Sequence, residues 1–153
     1  MSERVPWPKP ASYDVLMVDF GRIGERDTGY ISVAESQGKL PFTPSRVFWT
    51  YFTPEEIIRG RHAHYHTEQV LIAVAGEISV TLEFPDGSIQ AVRLSKPNIG
   101  VYIAPYVWHT MQYSHNAVQL AIASMPYEAA DYIRDKAEWR RIYGVVAPDS
   151  VGE

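Results

Sequence analysis

Four of the five histidines fall in two short segments, Arg59-Gly60-Arg61-His62-Ala63-His64-Tyr65-His66-Thr67-Glu68-Gln69 and Tyr106-Val107-Trp108-His109; the fifth, His115, stands in a turn-like stretch. Imidazole titrates near neutrality, so it serves both as the commonest metal ligand and as a group that takes and returns protons. If residues 62 to 66 are extended, His62, His64 and His66 share one face, because side chains alternate along a strand. Three imidazoles beside the apolar run 70–75 are read as lining a cavity rather than as a polar edge facing solvent.

Two chemistries compete for such a cluster. A metal centre would use His62, His64 and a later His109 with a carboxylate between them, leaving open positions for substrate or oxygen. Glu68 stands where that carboxylate could fall, yet counting back from the strand-ending Gly76 puts Gln69 in the slot, and a neutral amide is a poor ligand for a transition metal. No metal or other cofactor is therefore expected. Without one, a histidine can remove a carbon-bound proton beside a carbonyl, giving an enediolate that is reprotonated at the neighbouring carbon. This moves a ketone one position along a sugar. A positioned base contributes roughly 10²- to 10⁴-fold, and Tyr65, Gln69, Tyr102 and His109 are available to donate hydrogen bonds to the enediolate oxygen.

The elements that must position these groups read as all-β. Short β-type segments are expected at 15–20, 30–34, 46–52, 69–75, 77–84, 88–94, 101–104, 107–113 and 117–124, punctuated by Gly, Pro, Asn and Asp. Ile78, Val80, Leu82 and Phe84 alternate with polar residues, as in a strand with one buried face, and Pro85-Asp86-Gly87 turns the chain into a hairpin. Val118, Leu120 and Ile122 mark a later core strand, whereas 70–75 is apolar on both faces and should lie centrally. Thr53-Pro54-Glu55-Glu56 could begin one helical turn. A helix is expected over 127–143, ending at Gly144. Residues 1–12 are proline-rich and read as an arm, and 145–153 as a loose tail. The whole is one domain of sandwich or barrel type.

Composition narrows the partners. At 153 residues the chain fits a single core. A formal charge of -4 offers no basic field for nucleic acid. The longest purely apolar run, 70–75, is far short of the roughly 20 residues of a membrane-crossing helix, so no membrane partner is expected. The start lacks the pattern of a secretory signal, and a cytoplasmic location is expected. The absence of cysteine removes disulfides, thiolate metal sites and thiol nucleophiles.

The segments Arg59-Gly60-x-His62-Ala63-His64, Glu68-Gln69-Val70-Leu71, Gly100-Val101-Tyr102-x-x-Pro105-x-Val107-Trp108-His109, and Ala123-Ser124 followed by Asp131-Tyr132-Ile133-Arg134 resemble the cupin sugar 3,4-ketoisomerases that act on dTDP-4-keto-6-deoxyglucose. The match runs from about residue 46 to 134 in order and spacing. The resemblance implies a jelly-roll homodimer with exchanged N-terminal strands, a nucleotide-sugar substrate, metal-free catalysis, and a 3-keto product used in surface-glycan synthesis. It implies His62 as the base at the sugar carbon, with His64 and Tyr102 assisting proton return or holding hydroxyls. Arg59 and Arg46 would meet the diphosphate, Arg59 being read equally as a loop arginine paired with Glu55 or Glu56. Trp108 is read either as a stacking surface for sugar or base or as core. Where the family has Asp-x-Arg-Gly, this chain has Asp27-Thr28-Gly29, with Arg26 or Arg22 as substitutes; Tyr65 and His66 replace a lysine-rich step at the pocket edge. A 3,5-epimerase, a metal cupin and a non-catalytic sugar binder are the competing readings.

Overall fold

The computed structural model describes residues 13–145. The proline-rich arm and all but the first residue of the tail lie outside them.

Twelve strands form in chain order: β1 (Leu16–Asp19), β2 (Ile23–Glu25), β3 (Gly29–Ile31), β4 (Arg46–Thr50), β5 (Ile58–His64), β6 (Gln69–Ala75), β7 (Ile78–Glu83), β8 (Ile89–Leu94), β9 (Ile99–Ile103), β10 (Trp108–Tyr113), β11 (Val118–Ala123) and β12 (Tyr132–Ile133). One helix, α1 (Lys136–Tyr143), follows. Two five-stranded sheets face each other, one ordered β1-β9-β6-β11-β4 and the other β12-β5-β10-β7-β8, while β2 and β3 form a separate hairpin. Every pairing is antiparallel. This is the all-β cupin jelly roll with a C-terminal helix.

Strand β6 is central in its sheet, as its two apolar faces require. Leu71 and Ala73 join the core between the sheets with Ile78, Val80, Leu82, Leu94, Val101 and Ile103. Val70 and Ile72 face outward under Val18, Phe20 and Leu40, which cover the sheet. Fully burying each large aliphatic side chain stabilises the fold by about 1.5–3 kcal/mol. The 77–84 alternation becomes β7, and the 85–87 turn closes with the Phe84 amide donating to the Ser88 carbonyl and the Gly87 amide to the Phe84 carbonyl, both at 2.9 Å.

Four expectations need correction. The helix does not begin at 127: a single 3-10 turn occupies Ala129–Asp131, β12 pairs with β5, and α1 starts only where Asp135 caps it by accepting from the Ala137 and Glu138 amides. Gly144 ends it in the left-handed region, as expected. Residues 53–56 form a turn, closed by Ile57 N–H to Pro54 O at 3.0 Å, rather than a helical turn. The extended stretch around the histidines is 58–64 and not 62–66, because the Asp131 carboxylate accepts the His66 and Thr67 amides and bends the chain there. In β11 the inward residues are Gln119, Ala121 and Ala123, paired beside the inward residues of β6, while Leu120 and Ile122 face the outer layer.

Candidate functional site

The site is built around an irregularity in β5. Along the β5–β10 ladder His109 pairs with His62, but the next partner of Thr110 is Gly60, so Arg61 is an extra residue, a β-bulge. Gly60 and Arg61 both adopt positive φ, 86° and 56°. At Gly60 a Cβ would stand 2.8 Å from the His109 carbonyl, which only glycine avoids. The bulge turns the Gly60 carbonyl back to accept from His62 Nδ1 at 2.9 Å.

Past the bulge, alternation sorts the side chains. His62, His64, His109 and Tyr132 turn inward; Ala63, Trp108 and Ile133 turn outward onto Trp139 of α1. The His62 ring lies 5.0 Å from that of His64 and 4.6 Å from that of His109, and Tyr132 packs 4.4 Å from His64 and 5.0 Å from His62. His62, His109 and Tyr132 line a cavity of about 390 Å³ between the sheets, with Gln69, Leu71 and Gln119 on the opposing wall, Phe48 and Thr50 from β4, and Arg59 and Arg134 beside the histidines; His64 lies buried behind them.

Each imidazole is held through Nδ1. His62 and His109 donate to the carbonyls of Gly60 and Val107 at 2.9 and 3.0 Å, and His64 to the Asp131 carboxylate at 3.1 Å. In each ring Nε2 is then the unprotonated nitrogen. His64 Nε2 lies 3.5 Å from the Gln69 amide nitrogen, and His109 Nε2 is buried with no hydrogen-bond partner. A buried acceptor left unmatched costs about 1–3 kcal/mol, a cost that a hydroxyl group placed in the cavity would remove. The three rings can bring their ligand nitrogens within 4.8 Å of one another, so they could also hold a transition metal. Glu68 would not join them: it turns away and accepts from Tyr102 Oη at 2.6 Å.

Burial pulls the three rings below the ordinary histidine value of 6.5. His64 is brought down to about 4 by burial first and by the neighbouring His62 next, against the upward pull of Asp131. His62 is lowered by burial, with Arg134 adding to it, and His109 lies well below 6.5 through burial. All three are neutral at pH 7. In the unfolded chain they charge below about 6.5, so the unfolded state binds more protons than the folded one between that pH and the lowered values. Stability is therefore full above about 6.5 and falls as the pH drops towards 4. Urea unfolding at pH 7.5, 6.0 and 5.0 should show a declining midpoint; equal midpoints at 7.5 and 5.0 would contradict the neutral cluster.

Among the residues expected from the sequence, the structure brings together His62, His109, Gln69 and Arg59 on the cavity wall, with His64 packed against His62 and Gln69. Arg46 joins them from β4: its guanidinium lies over Phe48 and Tyr127, its Nε is buried without a partner, and its charge reaches His64. Arg59 makes no ion pair with Glu55 or Glu56 among the described residues. Five others are placed elsewhere. Tyr102 is on the outer face of β9, because Val101 and Ile103 point inward, and its phenol is spent on Glu68. Trp108 follows the same alternation outward, 5.8 Å from Trp139. Tyr65 packs beside that helix, and His66 is exposed beyond the bend. Arg26 lies in the exposed turn between β2 and β3, as does Thr28; Arg22 stacks 4.4 Å over Tyr30.

Residues not singled out as site groups complete the wall. Tyr132 and Arg134 come from β12 and the residue following it, with Arg134 stacked 4.3 Å over the Tyr132 ring. Tyr113, its phenol pushed up to about 12 by burial, donates to Gln119 at 3.1 Å. Met111 also lines the cavity. The period-2 pattern of 108–113 is the signal for Met111 and Tyr113, since residues sharing a face with His109 must follow it inward.

Residues 13–144 match the family described as FdtA: WxcM-like, C-terminal. A TDP-4-oxo-6-deoxy-alpha-D-glucose-3,4-oxoisomerase of Aneurinibacillus thermoaerophilus is 34% identical over 127 residues, covering 82% of this chain and 89% of the relative. A 3,4-ketoisomerase from Helicobacter canadensis superposes with a TM-score of 0.82 at 30% identity, covering 87% of this chain and 99% of the other. QdtA, a sugar 3,4-ketoisomerase from Thermoanaerobacterium thermosaccharolyticum in complex with TDP, gives 0.82 at 31% identity, with 86% and 96% covered.

Proposed function

The chain belongs to the FdtA (WxcM-like, C-terminal) family, and we propose from that premise that its cavity interconverts the 4-keto and 3-keto forms of 6-deoxyglucose carried on dTDP. The observation that carries this reading is the cluster of three neutral imidazoles, each with Nδ1 engaged and Nε2 unprotonated, at a cavity that His62 and His109 line and where Gln69 stands in place of the carboxylate of a metal centre.

The reaction is a balanced proton exchange. A base removes the proton on C3, the C3–H electrons become the C3=C4 bond of an enediol, and the C4 oxygen takes a proton. Return of a proton to C4 and loss of the one on the C3 oxygen leave the ketone at C3. In this scheme His62 Nε2 acts at carbon, a role supported by its ring being the least buried of the three and its Nδ1 being tied to Gly60. His64 and His109 face the oxygens. Gln69 donates to a developing enediolate, where such a donor contributes on the order of 3 kcal/mol. Arg59 and Arg134 line the cavity with positive charge suited to a diphosphate, and Arg46 lies over Phe48 of its wall. Tyr102 keeps no direct part in this scheme.

The test is incubation of the chelator-treated protein with dTDP-4-keto-6-deoxyglucose in D₂O, followed by proton NMR. Deuterium at C3 or C4 with growth of a 3-keto product is the expected result, unchanged by chelation. Exchange at C5 would mark an epimerase, dependence on added metal would mark a metal cupin, and no exchange at all would remove the proposal.

The active unit in this reading is a single cupin domain acting as a cytoplasmic homodimer with exchanged N-terminal strands. The exposed apolar side chains of Trp49, Ile23 and Ile31, at 62, 68 and 65% exposure, support self-association, because such residues cluster where a partner covers them. No helix among the described residues is long and apolar enough to cross a membrane.

A further inference from the structure

Among the described residues, Asp131 is the one carboxylate that meets the histidine cluster, and it does so from behind. It is 4% exposed. One of its oxygens accepts the His66 amide at 2.7 Å; the other accepts the Thr67 amide at 3.2 Å, the Thr67 hydroxyl, and His64 Nδ1 at 3.1 Å. A buried carboxylate is costly unless its lone pairs are satisfied, and here four donors satisfy them. Three of these donors close the bend after β5. The fourth has a different consequence.

A carboxylate facing His64 Nδ1 obliges that nitrogen to carry the proton, so Nε2 presents its lone pair towards Gln69, which lines the cavity. His62 and His109 are oriented the same way, but by backbone carbonyls. A carbonyl fixes a tautomer without offsetting a full charge. When an imidazole takes a second proton, His64 alone of the three has an anion among the described residues already in contact with it. Tyr132, the residue next to Asp131, packs on the same ring at 4.4 Å, so residues 131 and 132 grip His64 from edge and face.

We propose that Asp131 is a positioning residue of the isomerisation: it locks His64 in the Nδ1–H tautomer and stabilises the imidazolium formed while His64 holds a proton in transit between the two sugar oxygens. This rests on the isomerase reading above. Asp131 touches no substrate atom and acts only through His64.

The test uses the full chain, labelled with ¹⁵N-histidine. In the wild type, long-range ¹H–¹⁵N spectra should show His64 with a protonated Nδ1 and an imine-type Nε2. Asp131→Asn keeps an acceptor for the bend but can donate to Nδ1, and should shift His64 to the Nε2–H tautomer. Its kcat should fall by about 10²- to 10⁴-fold, the range of a lost acid–base group, with dTDP affinity within about threefold of wild type. Thr67→Val removes a donor from the same bend while leaving the carboxylate; it should keep the wild-type tautomer and kcat within about threefold. The proposal is overturned by an Nε2–H tautomer in the wild type, by an Asp131→Asn protein that retains turnover, or by Thr67→Val losing as much turnover as Asp131→Asn. If Asp131→Asn does not fold, the wild-type spectrum and Thr67→Val decide by the same criteria. No turnover by a wild type with the expected tautomer would refute the isomerase reading and leave the locked ring standing.

Discussion

His62→Ala is expected to abolish measurable exchange at the sugar carbon, lowering kcat by roughly 10²- to 10⁴-fold while the protein stays folded. The ring forms one wall of an open cavity and contributes to no apolar cluster, so its removal deletes a base without opening a hole in the core. The Gly60 carbonyl that it leaves can be hydrated from the cavity. Its loss also removes the charge-sensitive neighbour that helps hold His64 below the ordinary value, so His64 should become easier to protonate. Deuterium incorporation at C3 is the decisive readout, with dTDP affinity and the thermal midpoint as controls. A variant that retains exchange within about threefold of wild type would move the base to another ring.

How much of this was legible follows from how far alternation reaches. The 77–84 strand, its hairpin and the central 69–75 strand could be read because each has an unambiguous apolar pattern. The choice between Glu68 and Gln69 could also be made by counting, and the structure places Gln69 in the cavity and Glu68 on the far side. Alternation says which residues share a face, but not which face is inward. In β11 the larger apolar residues met the outer layer, and the small and polar ones faced the cavity, because a cavity needs room on its own wall. Tyr102 lies on the outer face of β9 for that reason. Trp108 was not beyond reach: if His109 turns in, its neighbour turns out.

Two features lay outside pattern reading altogether. The bulge at Gly60 and Arg61 inserts a residue that breaks the period of β5, so the strand carrying both key histidines has no continuous signature. The segment 129–133 has a composition compatible with a helix, and only long-range bonds decide otherwise: Asp131 to His64 and Thr67, and β12 to β5. Local propensity is a weak prior against such tertiary contacts.

The same long-range docking makes Trp139→Ala the most damaging substitution away from the cavity. Trp139 is 0% exposed, packs 5.8 Å from Trp108 and 6.5 Å from Tyr143, and donates its indole N–H to the Tyr106 carbonyl at 2.7 Å. Truncating a buried tryptophan costs about 3–5 kcal/mol, a drop in thermal midpoint on the order of 10 °C for a chain of this size. Ala63 and Ile133, against which the indole rests, are flanked in sequence by His62, His64 and Tyr132, so loosening α1 should release the back of the catalytic strands and reduce kcat as well. Trp139→Phe keeps most of the ring and gives up the hydrogen bond to the Tyr106 carbonyl, a loss of about 0.5–1.5 kcal/mol, and should retain most of the turnover. Chemical unfolding of the three proteins measures the two contributions separately. A loss below about 1 kcal/mol in Trp139→Ala would mean that β5 holds its histidines without the helix behind it, and that the pairing of β12 with β5 suffices to close the cavity.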